Sequence, residues 1–390
     1  MMPLDDIRIL DLSRLAPGPF CTMLLADLGA DVLLIEPPPD SRAGQGPGIG
    51  RGIEAYNALG RNKRSIILNL RDDEARQVFY RLAESADVVV EGFRPGVVQR
   101  LGVDYNTLRE KNPRLVYCSL SGYGQTGPYA GLVGHDINYI SIGGALGMIG
   151  PDPSGPPTIP LNIIADFAAG GLHAAYAVLA ALHARERTGR GQYLDIAMSD
   201  GVLYLLAMTI SGYFSTGHVP EAGRTVLNGS APFYNVYRCA DGGWISLGSL
   251  EPHFWANLCR VMGREDFIPH QHDVEKRDEI FAHFREQFRA KTRDEWFELL
   301  KQTDICVAPV YSLDEALQDP HNLARGMVVE VEHPQAGRVK QVGVATKLSE
   351  TPGAVRTPAP APGQHTDEVL SSLGYDADGI SALRERGAVA

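Results

Sequence analysis

Two side chains in this sequence stand where acid/base chemistry would need them. His135 and Asp136 follow Gly134 in the string Gly134-His135-Asp136-Ile137-Asn138-Tyr139, at a position that reads as a helix start. Asp166 lies further along, in the run LNIIADFAAGG, with no basic neighbour in sequence to keep it ionised. An imidazole with an ordinary pKa of about 6.5 is a neutral base at physiological pH. A carboxyl group kept protonated by burial is a matching acid. On opposite faces of one carbon, such a pair would take a proton from one side and return it on the other. The anion formed in between needs N–H donors aimed at its oxygen. A helix beginning at Asp136 would offer free backbone N–H groups and the positive end of its dipole. Both residues also have a plain structural reading: Asp166 as the N-cap of the helical run behind it, which would lower its pKa, and His135 as a hydrogen-bonded residue at a helix start. Glu251 opens Glu251-Pro252-His253-Phe254-Trp255 and is a third candidate, either a first-turn acid or a carboxylate that fixes an imidazole tautomer.

These residues need a scaffold. Over the first third of the chain, short apolar runs at 7–12, 31–36, 65–70, 87–91 and 115–120 read as strands. A helix at 19–28, stopped by Gly29, and another at 73–85 lie among them. Strands separated by helices imply right-handed crossovers, so this half is expected to be a Rossmann-like α/β domain with a mostly parallel sheet. Its first strand–helix turn, Ser13-Arg14-Leu15-Ala16-Pro17-Gly18-Pro19, lacks the G-x-G-x-x-G fingerprint, which argues against a dinucleotide there. A long helix rich in Ala and Gly follows at 167–187, then a strand at 192–197 and an apolar helix at 200–213. Asp241-Gly242-Gly243, between strands at 234–239 and 244–247, is a hairpin signal that opens a smaller α+β domain. Helices at 252–262, 277–290 and 293–302 and a strand at 306–309 fill it. Strands at 328–332 and 338–343, a Pro/Ala stretch at 357–363 expected to run extended over the surface, and helices at 366–373 and 379–386 end the chain. The division expected is a large domain over 1–215, completed by 325–390, and a small domain over 216–324.

Composition narrows the function. The 390 residues suffice for two cores, and a formal charge of −11 argues against a nucleic-acid partner. Five scattered cysteines without a CxxC pair fit a reducing compartment. No uncharged apolar run approaches the roughly 20 residues of a membrane span. Acids stand where a signal peptide needs positive charge, and the last residues are not Ser-Lys-Leu. A cytoplasmic enzyme without membrane partner is expected. His270-Gln271-His272 lacks a third ligand nearby, so no metal is expected.

The string GHDINY resembles the active-site segment of the α-methylacyl-CoA racemases, within the family III CoA-transferase (CaiB/BaiF-type) superfamily. The resemblance runs nearly end to end, through ILDLSRLAPGPFCTMLLADLGADV, SGYGQTGP, TGRGQYLDIAMSDG, APFYNVYRCADGGWISLG and GQHTDEVLSSLG. In those racemases the His of GHDINY and the Asp of the following N-L-x-x-D-F segment are the catalytic pair, which implies His135 and Asp166 here. The setting of Glu251 is similar to the family's E-P-x-F segment, whose Glu orients the catalytic His, often from the partner subunit. The resemblance further implies an acyl-CoA substrate, with CoA as part of the substrate and no separate cofactor, and an interlocked homodimer. Matching CoA-contacting segments give Leu68, Asn69, Leu70, Arg71, Gly92, Phe93, Arg94 and Arg100, together with Gly134, Asp136, Ile137, Asn138 and Tyr139. Arg61, Lys63 and Arg64 add positive charge near this edge. The loop Gly122-Tyr123-Gly124-Gln125-Thr126-Gly127-Pro128 follows a strand, where ligands of such sheets sit. The racemases often carry an Arg just after the second strand, where this chain has Glu36-Pro37; Arg42 is the substitute at hand, beside extra residues at 44–55.

Three functions remain distinguishable. A racemase uses His135 and Asp166 as two proton carriers. A family III CoA-transferase would instead use Asp166 as a nucleophile, through an acyl-aspartyl anhydride, and generally lacks the GHDINY histidine. A non-catalytic CoA-binding protein would have no use for His135, Asp166 and Glu251 together.

Overall fold

A computed structural model describes residues 1–39 and 54–390. Arg42 and residues 44–53 lie outside the described residues. The chain packs as two compact units, Met1–Gly143 with Leu161–Leu205 and Pro320–Ala390, and Gly144–Pro160 with Leu206–Asp319. Residues 144–160 and 206–215, read from sequence as part of the large domain, group with the second unit, and residues 320–324 group with the first.

The first unit runs β1 (Arg8–Asp11), α1 (Pro17–Asp27), β2 (Asp31–Glu36), β3 (Lys63–Ile67), α2 (Asp73–Glu84), β4 (Val88–Glu91), α3 (Val97–Leu101), α4 (Tyr105–Lys111), β5 (Val116–Ser121), α5 (Asp136–Ile142), α6 (His173–Thr188), β6 (Tyr193–Ala197) and α7 (Met198–Leu205). Its six strands are parallel, in the order β3-β2-β1-β4-β5-β6. Val88, Val89 and Val90 are all fully buried, as a central strand covered on both faces requires. Helix α2 forms because Asp72 caps it, accepting from Glu74 and Ala75 N–H, and because Ala75, Val78, Phe79 and Ala83 make one apolar stripe. The order reverses between β1 and β4, so the loops after these strands diverge and leave a crevice at the carboxyl edge of the sheet. There the Arg14 guanidinium lies 5.9 Å from the Phe93 ring centre.

The second unit holds α8 (Ala207–Thr216), β7 (Tyr234–Arg238), β8 (Trp244–Gly248), α9 (Pro252–Val261), α10 (Arg277–Phe288), α11 (Arg293–Leu300), β9 (Val307–Val310) and α12 (Leu313–Gln318). Its antiparallel sheet, β7-β8-β9, packs on an aromatic core of Phe233, Tyr237, Trp255, Phe267, Phe284, Phe288 and Trp296. The chain then returns to the first unit as α13 (Pro320–Ala324), the hairpin β10 (Val328–His333) and β11 (Gly337–Val342), α14 (Thr366–Ser372) and α15 (Ala377–Glu385). This tail covers the open edge of β3. Ser65 N–H donates to His365 Nδ1, Asn69 N–H donates to the Ala388 carbonyl, and Leu68 bridges to Val389.

Three local expectations need correction. The helix read as starting at 167 starts earlier, as a π-helix over Ile163–Leu172 that passes into α6. The apolar helix read at 200–213 is two helices, α7 and α8, divided at Leu206. The Pro/Ala stretch keeps to the surface without regular structure, as expected, and is anchored there: Asn62, with φ 58°, accepts from Arg356 and Thr357 N–H, and Ala359 is buried against Gly60. The basic cluster at the start of β3 is taken up internally. Arg61 is buried on Asp27, Lys63 is buried on Asp11, and Arg64 pairs with Asp31 and Glu368.

The continuous helical stretch Ile163–Thr188 is long and apolar enough, by length and composition, to cross a membrane. It packs closely on α1 and α7 through glycines, and the half-buried Asp166 lies within it.

Candidate active site

His135 and Asp166 both belong to the first unit, on adjoining segments. His135 precedes α5 in extended backbone, φ −130° and ψ 178°, with its ring exposed. Its own N–H donates to Asn138 Oδ1 at 3.0 Å, and the first turn of α5 closes on its carbonyl at Asn138 N–H, 2.8 Å. The Tyr139 hydroxyl donates to the Gly134 carbonyl at 2.5 Å and pins the residue before it. Glycine is required on both sides of that ring. A Cβ at Gly122 would stand 2.3 Å from Tyr139 Cε1, and one at Gly134 would stand 2.8 Å from it.

Asp166 is not an N-cap. It lies within the π-helix, and the N–H groups that a cap would satisfy go to a different acid. Asp136 Oδ2 accepts from Ala165 N–H at 2.7 Å and from Asp166 N–H at 2.8 Å. Asp136 is 3% exposed, so the residue read as a substrate contact turns its side chain inward and ties α5 to the start of the π-helix. Glycines let that helix come close to its neighbours: a Cβ at Gly171 would be 2.6 Å from the Pro17 carbonyl oxygen, and one at Gly201 would be 2.5 Å from that of Ala169. The Asp166 carboxylate, freed from capping, accepts a hydrogen bond from Asn162 Nδ2 at 3.0 Å. Burial pushes its pKa up, the Asn162 hydrogen bond pulls it down, the Asp136 charge raises it and His135 lowers it. His135 and Asp166 are therefore within electrostatic reach of each other. Tyr139, pushed up to about 12 by burial and by Asp166, is a neutral phenol beside them.

The other residues read as ligand contacts divide into two groups. Exposed at this unit's surface are Arg71, Gly92, Arg94, Arg100, Ile137 and Asn138. Arg94 is close enough to act on Tyr139, lowering its pKa, and the Arg100 guanidinium folds back towards Gly96. Turned inward are Leu68, in the main core, and Tyr139, 6% exposed. Phe93 and Leu70 are half-buried against that same core, Gly134 is half-buried, and Asn69 donates to the Gly387 carbonyl. Sequence reasoning missed Asn162, although its place four residues before Asp166 was a signal for a side-chain pair on one helix face.

Glu251 lies in the second unit, at the residue before α9. Its side chain makes no cap hydrogen bond, and it is exposed. Gln271 fixes the approach to it, donating to the Ser249 and Leu250 carbonyls at 3.2 and 2.8 Å. The flanking histidines are engaged too, His270 with Asp273 and His272 edge-on to Phe233. A cleft of about 1140 Å³ in this unit is lined in part by Arg224, Arg277 and Arg285, and none of the site residues read from sequence lines it.

The family model described as CoA-transferase family III matches residues 4–366. The human protein named alpha-methylacyl-CoA racemase is 37% identical over 384 residues, 98% of this chain and 96% of its own. Succinyl-CoA--D-citramalate CoA-transferase of Chloroflexus aurantiacus is 36% identical over 400 residues, covering 98% of this chain and 97% of its own. Among solved structures, a CAIB/BAIF family protein from Brucella suis superposes with a TM-score of 0.82 at 26% identity, over 95% of this chain and 99% of that one. With an enzyme family spanning both racemases and transferases matched over nearly all its length, this chain belongs to CoA-transferase family III.

Proposed function

We propose that the chain is an isomerase of the α-methylacyl-CoA racemase type, interconverting (2R)- and (2S)-2-methylacyl-CoA thioesters. The observation that carries this reading is the pairing of an exposed His135 with an Asp166 that caps nothing and whose pKa burial raises. A nucleophilic carboxylate should be ionised, whereas a returning acid must hold its proton. Neutral His135 removes the C2 proton, and the electron pair moves into the thioester carbonyl to give the enolate. Backbone N–H groups in the first turn of α5 are the donors for its oxygen. Asp166 then gives its proton to the opposite face of C2, leaving a carboxylate and an imidazolium. Exchange with solvent resets both, and the mirror-image sequence runs the other way.

Arg71, Arg94 and Arg100 are the cations for the CoA phosphates, and CoA enters as part of the substrate. We further propose a homodimer in which Glu251 orients His135 from the partner. Supporting it are the apolar side chains Tyr204, Met208 and Phe214, each more than 70% exposed on a single chain.

The test is one enantiomer of a 2-methylacyl-CoA in D₂O with no acceptor acid. Deuterium should enter C2 with loss of optical purity, and His135→Ala should lose about 10²–10⁴-fold activity. Glu251→Gln should lose less. Transfer of CoA to an added carboxylate with the α-proton left in place, or an acyl-aspartyl adduct trapped at Asp166 by hydroxylamine, would make the chain a transferase. Inertness in both assays with CoA still bound would make it a binding protein.

A further inference from the structure

The carboxyl edge of the parallel sheet carries a polar row that the proton transfers do not use. Strand register sets Glu91 beside Ser119 and Ser119 beside Asp195, so the three side chains leave one face of β4, β5 and β6. Glu91 and Ser119 are each 1% exposed, whereas Asp195 stands on the edge strand and is exposed. One Glu91 oxygen accepts the Ser119 hydroxyl, and the other accepts the Phe93 N–H at 2.7 Å. Both Asp195 oxygens accept the Gln125 N–H, at 3.1 and 3.2 Å. Glu91 thus holds the first turn of the loop that leaves its own strand, and Asp195 holds the loop that leaves the neighbouring β5. The first of these loops carries Arg94 and the second carries Tyr123, whose ring meets Tyr139 edge-on at 5.1 Å.

We propose that Glu91 is a positioning residue for CoA-ester binding: through the Phe93 N–H it fixes the loop that presents Arg94, while Asp195 fixes the adjoining loop through Gln125. This inference rests on the CoA-ester site proposed above. Asp11, the buried acid at the matching end of β1, carries the Lys63 ammonium. Glu91 has a hydroxyl and one backbone N–H instead, and both are groups of the edge it supports. Burial pushes its carboxyl up to about 7, with Asp195 adding to the rise. Tyr117 and Tyr193 face it from β5 and β6, Cys118 lies on the other face of β5, and burial raises all three, so they are uncharged between pH 6 and 8. Arg14 is the cation across the loop, over Phe93. The hold on Phe93 is charge-assisted when Glu91 is ionised and weakens as pH falls through its range.

The experiment measures binding of CoA by calorimetry, and kcat and KM for the racemisation, at pH 6, 7 and 8. Wild type is compared with Glu91→Ala and Glu91→Gln. Glu91→Ala should weaken CoA binding and raise KM about tenfold, the worth of one charge-assisted hydrogen bond, with kcat changed less than about twofold. Glu91→Gln keeps an acceptor for Phe93 and a donor for Ser119. It should restore binding to within about threefold of wild type and lose the wild-type weakening from pH 8 to pH 6. If Glu91→Ala does not fold, judged by near-UV circular dichroism, the comparison of wild type with Glu91→Gln across pH decides. Equal CoA affinity in wild type and Glu91→Ala at all three pH values, or the same pH profile in wild type and Glu91→Gln, would overturn the inference alone. Wild-type protein that binds no CoA would overturn the CoA-ester site and this inference with it.

Discussion

Asp11 at the end of β1 and Glu91 at the end of β4 are each 1% exposed, and they meet burial in opposite ways. Asp11 sits in a closed set: it accepts from Ser13 N–H, the Ser13 and Thr22 hydroxyls and Lys63 Nζ, and that ammonium also donates to Thr22 and to the Pro19 carbonyl. Burial lowers the Lys63 pKa while the Asp11 charge raises it, so the cation depends on its partner. Among the described residues no cation pairs with Glu91 in this way, and burial pushes its carboxyl up to about 7. At the end of β1 the sheet closes its buried acid in a fixed ion pair, and at the end of β4 it keeps one that can change charge. Lys63 and Asp11 lock β3 and β1 to the start of α1, whereas Glu91 holds the Phe93 loop and the Ser119 hydroxyl at the ligand edge.

The largest effect is expected at Lys63. Lys63→Met leaves Asp11 buried without its cation and should cost about 3–5 kcal/mol in urea unfolding. A loss under about 1 kcal/mol would mean that the hydroxyls and N–H groups alone satisfy Asp11.

A smaller effect is expected at Glu91, and it depends on pH. Its folded-state pKa is raised from 4.5 to about 7. The stability linked to this group is therefore fully present below pH 4.5, falls as pH rises from there, and is lost above about 7. Relative to Glu91→Gln, wild type should lose about 2–3 kcal/mol between pH 5 and pH 8, at 1.36 kcal/mol per pKa unit. Parallel stability curves for the two proteins would show that Glu91 does not titrate in this range.

The smallest effect is expected at Arg64, whose side chain is 35% exposed in its pairs with Asp31 and Glu368. Arg64→Ala should change stability by less than about 1 kcal/mol, and by less still in high salt. A larger loss would show that docking of the tail through Glu368 depends on this pair.

Much of this was legible in the sequence because it is encoded locally. Residues 31–36 read as a strand with the bounds that β2 has, and the break after 27 was visible in Gly29, whose φ of 114° favours glycine. His135, Asp166 and Glu251 were legible as candidates from their residue types and neighbours. The π-helix was not, because widening a helix by one residue per turn leaves no separate hydrophobic period to read. Nor was the fate of Arg61, Lys63 and Arg64, whose carboxylates Asp27, Asp11 and Asp31 come from other strands and from α1. In sequence they look like three free positive charges; in space their charges are taken.

The sequence by itself determined the alternation of strands and helices, the family resemblance and the residue types available for proton transfer. These follow from side-chain periodicity, turn residues and short motifs, all properties of a local window. The tertiary structure decided what each acid is for. Asp136 and Asp166 are thirty positions apart, yet one takes the backbone N–H groups and the other is left free to hold a proton. Glu91 reads as the last residue of an apolar run until β5 and β6 set Ser119 and Asp195 beside it. A carboxylate's role depends on its desolvation and on partners brought from distant segments, and those exist once the chain has folded.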